Sequence, residues 1–224
     1  MVSEHKMRGP DVSAPLLLWG ASDHAGVVID ALRAGGLGDP IALLDDTTAD
    51  APARRFGVRI VGSFAALGTG FDPHAARIHI AMGDCAARMR LALEAAALGF
   101  EFATVVHPHA TLSATATIGA GSFIAAGAVV GPQARIGAHC IVNTRASVDH
   151  DCALGEGVHV APGAVLGGHV HVGSGAWIGL GASVRDHLTI GERALIGVGA
   201  VVVRDIPADV VAYGCPARTV RARA

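Results

Sequence analysis

The sequence of 224 residues is poor in aromatic and charged side chains, which make up only 4% and 16% of it. Its formal net charge of −2 gives no electrostatic argument for binding to nucleic acid or to an anionic membrane surface. The four cysteines form no Cys-x-x-Cys pair, which favours a reduced, cytoplasmic protein. The apolar run Leu16–Trp19 is too short for a signal peptide or a membrane span.

What the sequence does contain is an unbroken six-residue repeat between residues 106 and 202. Every sixth residue is a branched aliphatic side chain, and the fourth residue after most of them is small. The aliphatic positions are Val106, Leu112, Ile118, Ile124, Val130, Ile136, Val142, Val148, Leu154, Val160, Leu166, Val172, Ile178, Val184, Ile190, Ile196 and Val202. This is the hexapeptide signature of a parallel β-helix, a three-sided prism whose aliphatic side chains point inward. About five coils are predicted, with glycine giving the backbone its freedom at the corners.

The first hundred residues alternate between strand and helix patterns and predict a small, Rossmann-like parallel sheet. Strands are predicted over residues 16–19, 41–44, 77–82 and 102–106, and helices before Gly35, over 64–67 and over 85–98. The predicted organisation is a loose tail over 1–14, an α/β domain over 15–105, the β-helix over 106–206 and a C-terminal tail over 207–224.

The turn from Gly20 to Gly26 joins the first strand to the first helix, and its chemistry stays open. It departs from the dinucleotide fingerprint, because Ser22 stands where the second glycine is expected. The alternatives are a nicotinamide dinucleotide site, a tight turn without a ligand, and a phosphate or sugar at the helix N-terminus with Ser22 and His24 aimed at it. Asp45 and Asp46 end the second strand, where they either accept bonds from a ribose or base or form a polar loop.

Twelve histidines are many for this length, and most are expected to be surface residues. The histidines expected at outward or loop positions are His107, His109, His139, His169, His171 and His187. His150 differs, because the flanking Asp149 and Asp151 could hold one imidazole nitrogen and raise its basicity. Asn143, seven residues earlier, occupies a slot where glycine is usual. His150 is therefore the candidate general base.

In combination these segments resemble the bacterial nucleotide-amino-sugar N-acetyltransferases of the bacillosamine and perosamine type. These are left-handed β-helix enzymes, related also to sialic acid O-acetyltransferases. The resemblance covers residues 16 to about 220 and is carried by the hexapeptides, the 20–26 turn, the Asp45-Asp46 pair and residues 80–84, 142–152, 159 and 214–218. It implies the left hand of the coil, which spacing alone cannot reveal.

The resemblance also implies roles for individual residues. His150 would be the catalytic base, Asp151 the acid that polarises it, and Asn143 a residue near the sugar. The residues implied to bind acetyl-CoA are His159, Gly168 (through its backbone N–H), Leu180, Val198 and Arg218. The residues implied to surround the nucleotide sugar, in the 15–105 domain, are Gly20, Ser22, His24, Asp45, Asp46, Gly83 and Asp84. Asp151 stands where the family has a glutamate, and Arg218 where a lysine is common.

The function that follows from the resemblance is acetyl-CoA-dependent N-acetylation of a GDP- or UDP-linked 4-amino-4,6-dideoxysugar, for surface polysaccharide or glycoprotein synthesis. The expected enzyme is a cytoplasmic homotrimer with its sites between subunits and no required metal. O-acetylation of a sugar hydroxyl, as in the sialic acid enzymes, is the main alternative. A zinc enzyme like the γ-class carbonic anhydrases is disfavoured, because the spacing does not provide a close histidine pair on adjacent coils. A non-catalytic assembly protein is the remaining alternative.

Overall fold

The computed structural model describes residues 15–45, 54–62 and 64–223. The predicted tail over 1–14 and the candidate residue Asp46 therefore lie outside the described residues. None of the helices in the described part of the chain is long and apolar enough to cross a membrane.

The N-terminal region is a small parallel sheet with helices, as predicted. Its elements in chain order are β1 (Leu16–Trp19), α1 (Asp23–Ala34), β2 (Ala42–Leu44), β3 (Arg54–Arg55), β4 (Val58–Arg59), α2 (Phe64–Gly70), β5 (Arg77–Ile80), α3 (Cys85–Ala97) and β6 (Glu101–Phe102). The parallel sheet has the order β2-β1-β5-β6, while β3 and β4 form an antiparallel hairpin that the sequence did not predict. The ends of β1, β2 and β5 lie side by side, which brings the loops after them to one edge of the sheet.

The rest of the chain is a β-helix whose short strands stack into three faces. The first face consists of β7 (Val105–Val106), β10 (Phe123–Ile124), β13 (Ile141–Val142), β16 (His159–Val160), β19 (Trp177–Ile178) and β22 (Leu195–Ile196). The second face consists of β8 (Thr111–Leu112), β11 (Val129–Val130), β14 (Ser147–Val148), β17 (Val165–Leu166), β20 (Ser183–Val184) and β23 (Val201–Val202). The third face consists of β9 (Thr117–Ile118), β12 (Arg135–Ile136), β15 (Ala153–Leu154), β18 (His171–Val172) and β21 (Thr189–Ile190). The prism is therefore about six coils tall rather than five.

The inward column follows the predicted register. The aliphatic residues from Ile124 to Val202 are all buried, as are the small residues four positions after them. Val106, Leu112 and Ile118 are only partly buried, because they belong to the first coil and no coil lies beneath them. At the other end, β24 (Val210–Gly214) extends the first face beside β22, and β25 (Ala217–Ala222) returns antiparallel to it.

The glycines that directly follow the aliphatic residues were predicted to give the backbone freedom at the corners, and this physical reason is wrong. These glycines do not adopt positive φ; instead, a Cβ on Gly137 would lie 2.7 Å from the backbone of Gly155 on the next coil. Positive φ occurs two residues later, at the third position after the aliphatic residue. Many residues in that slot are not glycine, including Gln133, Asp151 and His169. Glycine is thus needed where one coil packs on the next.

The N-terminal sheet is fixed to the first face. Outward-facing Phe123 and Ile141 are buried in one cluster with Val28, Ile29 and Leu32 of helix α1. The loops at the carboxyl edge of the sheet therefore lie against the outward residues of the first face.

Candidate active site

His150 lies at the corner after β14, between the second and third faces, and is held by its neighbour. Its Nδ1 lies 2.8 Å from Oδ2 of Asp151. Because a carboxylate only accepts, Nδ1 carries the proton and Nε2 is left as a base. This hydrogen bond raises the pKa of His150 and lowers that of Asp151. The His150 side chain is about half exposed, so a substrate can reach it.

Gly168 on the next coil lies directly beside the His150 imidazole. A Cβ at Gly168 would be 2.6 Å from Nε2 of His150. No backbone carbonyl in the described residues accepts the Gly168 N–H. The candidate base and a backbone N–H donor thus adjoin each other, an arrangement that suits proton removal and oxyanion stabilisation.

His169 and His187, which the sequence places at the surface, lie at the same corner as His150 on the following coils. The rings of His150 and His169 meet edge to face with centroids 5.3 Å apart, and His169 stacks on His187 at 4.5 Å. The expectation that the spacing provides no close histidine pair on adjacent coils is therefore wrong. Residues 169 and 187 occupy the same slot of successive coils, and residue 150 lies one position before that slot.

A second group of candidate residues lies on the first face and at its corner with the second face, against the N-terminal region. His159 is 4% exposed and donates from Nδ1 to the Gly83 carbonyl at 3.1 Å. Its Nε2 accepts from the Asn143 amide at 3.1 Å. Burial lowers the pKa of His159 to about 4, so it stays neutral. Asn143 and His159 thus form one hydrogen-bonded chain with the loop after β5.

His24, in the first turn of α1, belongs to this second group. It meets Phe123 edge-on with centroids 5.5 Å apart, and its ring lies 6.4 Å from that of His159. Its Nε2 is buried and has no hydrogen-bond partner among the described residues. Burial lowers the pKa of His24 to about 3. An unpaired buried imidazole nitrogen costs free energy, which a bound polar ligand would recover.

The other predicted sugar contacts have structural roles that the structure describes. Gly20 has φ of 119°, and a Cβ there would lie 2.7 Å from the Ala81 carbonyl. Asp45 accepts from the Ala21 N–H at 3.0 Å, and Asp84 caps α3 by accepting from the Ala87 N–H at 2.7 Å.

Ser22 precedes α1 but makes no capping hydrogen bond to it, and its side chain is exposed. The first turn of α1 is thus open to an anion.

The two groups are separated within one chain. His150 and Asp151 lie at the corner after β14 and Gly168 at the same corner of the next coil, whereas Asn143 lies at the corner before β14. No contact in the described part of the chain joins His150 to His159. One copy therefore brings the sugar-side candidates Asn143 and His24 together with His159, the candidate acetyl-CoA contact, but not with the candidate base.

Comparisons with known proteins match this arrangement along almost the whole chain. Residues 15–95 match the family model described as the PglD N-terminal domain. The acetyltransferase domain of PglB from Neisseria gonorrhoeae is 38% identical with a TM-score of 0.88, and the match covers 93% of this chain and 100% of that one. A histidine-to-asparagine mutant of perosamine N-acetyltransferase from Caulobacter crescentus, solved with CoA and GDP-perosamine, is 37% identical with a TM-score of 0.88, covering 93% of this chain and 97% of that one. The chain belongs to this family of acetyltransferases.

A more distantly related protein has the same fold. WeeI from Acinetobacter baumannii is 26% identical with a TM-score of 0.84, and the match covers 93% of this chain and 100% of that one. None of the curated protein sequences matches the chain. The chain is therefore an acyltransferase with a left-handed β-helix and a small N-terminal parallel sheet.

The candidate CoA contacts of this acetyltransferase lie on different parts of the prism. Leu180 and Val198 are 47% and 74% exposed and occupy equivalent corners of successive coils, between the first and second faces. Arg218 is exposed on β25 and donates to the Ala217 carbonyl at 3.0 Å. Such exposed apolar corners suit the pantetheine arm of CoA. The assignment of Leu180, Val198 and Arg218 to CoA binding stays a prediction.

One residue of this acetyltransferase that the sequence analysis missed is Arg88, on the buried side of α3. It is 1% exposed and donates to the Met82 and Gly83 carbonyls in the N-terminal region at 2.8 and 2.9 Å. It also donates to the His139 and Gly157 carbonyls of the β-helix at 2.8 and 2.7 Å. Arg88 thus attaches the loop after β5, whose Gly83 carbonyl accepts from His159, to the prism. The signal in the sequence was an arginine on a helix face otherwise lined by Cys, Leu and Ala.

Proposed function

We propose that the chain transfers the acetyl group of acetyl-CoA to the amine of a nucleotide-linked 4-amino-4,6-dideoxysugar. The observation that carries this proposal is the base at the prism corner, His150 with Nδ1 held by Asp151 and Nε2 beside the Gly168 backbone. Support for the substrates comes from the perosamine N-acetyltransferase, which binds CoA and GDP-perosamine and matches nearly the whole chain.

The proposed chemistry begins with an unprotonated amine attacking the thioester carbonyl. His150 takes the amine proton at Nε2, and Asp151 stabilises the imidazolium through Nδ1. The Gly168 N–H donates to the oxyanion, and the proton on His150 is then available to the leaving thiolate. Holding both substrates in line contributes most, since proximity can supply roughly 7–11 kcal/mol of the barrier.

The nucleotide sugar is placed at the carboxyl edge of the N-terminal sheet. The open first turn of α1 offers backbone N–H groups to a phosphate, with the Ser22 hydroxyl beside them. The unpaired Nε2 of His24 then has a sugar group to bond with. Because burial keeps His24 neutral, its Nε2 recognises a hydroxyl or amine group rather than a charge.

A homotrimer is proposed because one chain does not unite the two groups of candidate residues. The outward side chains of the second face, which lies between those groups, carry no charge and are suited to packing against another copy. They are Thr111, Val129, Ser147, Val165, Ser183 and Val201. A neighbour docked here would place its sugar-side residues next to His150.

Subunit mixing tests this arrangement. The inactive variants His150→Ala and His24→Ala are unfolded together, refolded and assayed, and partial recovery of activity is expected in the mixture. A monomer that is fully active by light scattering and assay would contradict the shared site.

The function itself is tested by thiol release from acetyl-CoA with GDP- and UDP-linked 4-amino-4,6-dideoxysugars and with a sialic acid. Release with one nucleotide amino sugar, and its loss in His150→Asn, is the expected result. Release only with the sialic acid would replace N-acetylation with O-acetylation. We place the reaction in the cytoplasm, since the four cysteines are free, and assign its product to surface polysaccharide or glycoprotein synthesis.

A further inference from the structure

The corner that holds the candidate base also gathers three potential metal ligands. One donor atom each from His150, Asp151 and His169 lies within 4.8 Å of the other two. Nε2 of His169 is 3.7 Å from Oδ2 of Asp151, and Nδ1 of His150 is 2.8 Å from the same oxygen. Two imidazoles and a carboxylate therefore converge on one point of the surface.

The two separations that involve Asp151 are close to those of a tetrahedral zinc site. With zinc–ligand bonds near 2.0–2.1 Å, neighbouring ligand atoms stand about 3.3 Å apart. The 3.7 Å separation must shorten and the 2.8 Å separation must lengthen, each by roughly half an ångström. The three side chains are 41–48% exposed and can make such small movements.

The backbone beneath the three side chains is rigid and repetitive. Asp151 and His169 both have φ of 58° in the same slot of adjacent coils, so their side chains leave the prism in parallel. The His169 N–H donates to the His150 carbonyl at 3.0 Å, which fixes the spacing of the two coils. The ligand atoms are thus pre-positioned, and little chain entropy is lost when a metal binds.

The donor set selects the kind of metal. Imidazole nitrogen suits zinc and neighbouring transition metals, whereas magnesium and calcium prefer all-oxygen sites. Three protein ligands on an exposed corner leave the fourth position to water.

We propose that Zn²⁺ binds to His150, Asp151 and His169 and inhibits the acetyltransferase. A histidine bound to zinc through one nitrogen carries its proton on the other, so His150 has no lone pair left to accept the proton of the amine. The inhibition rests on the proposed function of His150, whereas the metal binding does not.

Binding is measured first, without any activity assay. Tag-free protein is titrated with Zn²⁺ against a chromophoric chelator, and one equivalent per chain is expected. Loss of a hydrogen-bonded partner of a metal ligand already costs 10–100-fold in affinity, so His169→Gln, which removes a ligand itself, is expected to weaken binding by more than about tenfold. His187→Gln is the matched control, because His187 stacks on His169 without a described hydrogen bond to any of the three ligands, and the affinity for Zn²⁺ should change less than about threefold.

Inhibition is measured next, each variant against its own metal-free rate. Zn²⁺ should inhibit the unmodified chain, and EDTA should reverse the inhibition. Mg²⁺ and Ca²⁺ should not inhibit it. His169→Gln should need more than about tenfold more Zn²⁺ for the same inhibition. Absence of stoichiometric binding, or unchanged affinity in His169→Gln, would overturn the site. Binding without inhibition would overturn the proposed regulation. If the chain transfers no acetyl group at all, the binding titration still decides whether the metal site exists.

Discussion

A single methyl group at Gly168 is expected to displace the proposed base without disturbing the fold. The added Cβ of Gly168→Ala would lie 2.6 Å from Nε2 of His150, well inside contact distance. The ring has to move by roughly 1 Å to relieve this contact, and the movement strains its hydrogen bond to Asp151. A displacement of that size can cost about 10²-fold in rate, whereas the backbone N–H at position 168 is retained.

Stability separates this effect from unfolding. Gly168 does not have positive φ and its new Cβ meets only a movable side chain, so the free energy of unfolding should stay level or rise by up to about 1 kcal/mol. Gly167→Ala is the matched control, since its Cβ would lie 2.8 Å from the backbone nitrogen of Asp186. It should lower the free energy of unfolding by about 1–3 kcal/mol.

The assay is steady-state thiol release together with thermal unfolding, in a double-mutant cycle. In a His150→Ala background, Gly168→Ala should cause little further loss of rate, because the residue it displaces is already absent. Full activity of Gly168→Ala, or additive losses in the double variant, would refute the placement of His150 as the base.

Three further substitutions test the inward column, the pKa of His150 and the hydrogen bonds of Arg88. Leu166→Ala, in the inward column, should lower the free energy of unfolding by about 2–5 kcal/mol in thermal denaturation. Asp151→Asn should move the rise of kcat/KM with pH to lower pH, because Asp151 raises the pKa of His150 and only neutral His150 acts as a base. Arg88→Met should lower the free energy of unfolding by more than about 3 kcal/mol, because it leaves buried carbonyls without donors.

Exposed residues supply controls for the Leu166 and Arg88 changes. Leu93→Ala, at a position of α3 that is 70% exposed, should change stability by less than about 0.5 kcal/mol. Arg90→Met removes only an exposed pair with Glu94 and should also cost less than about 0.5 kcal/mol. Equal costs within either pair, or an unmoved pH profile in Asp151→Asn, would contradict the corresponding assignment.

The sequence predicted the β-helix in detail because its period is strict. A residue such as Leu166 can only point inward if Val148 and Val184 do, since one register serves all coils. The sequence also predicted the contact of His150 with Asp151, because neighbours at a corner contact one another whatever lies around them.

Contacts between coils and between domains were not predictable in the same way. His169 adjoins His150 only because each corner residue stacks on the residue at the same position of the previous coil, which for His169 is Asp151. No particular residue type marks this position in the sequence. Arg88 was missed because its partners are all backbone carbonyls, which leave no charged counterpart in the sequence. The separation of His150 from His159 likewise depends on which face each strand joins.

The most direct test of the central claim follows the acetyl group itself. Isotopically labelled acetyl-CoA is incubated with the chain and each nucleotide-linked 4-amino-4,6-dideoxysugar, and the product is examined by NMR. A labelled amide on the sugar nitrogen is expected with the unmodified chain, and a greatly reduced yield with His150→Asn. A labelled ester, no labelled sugar, or equal amide yield from both chains would contradict N-acetylation by His150.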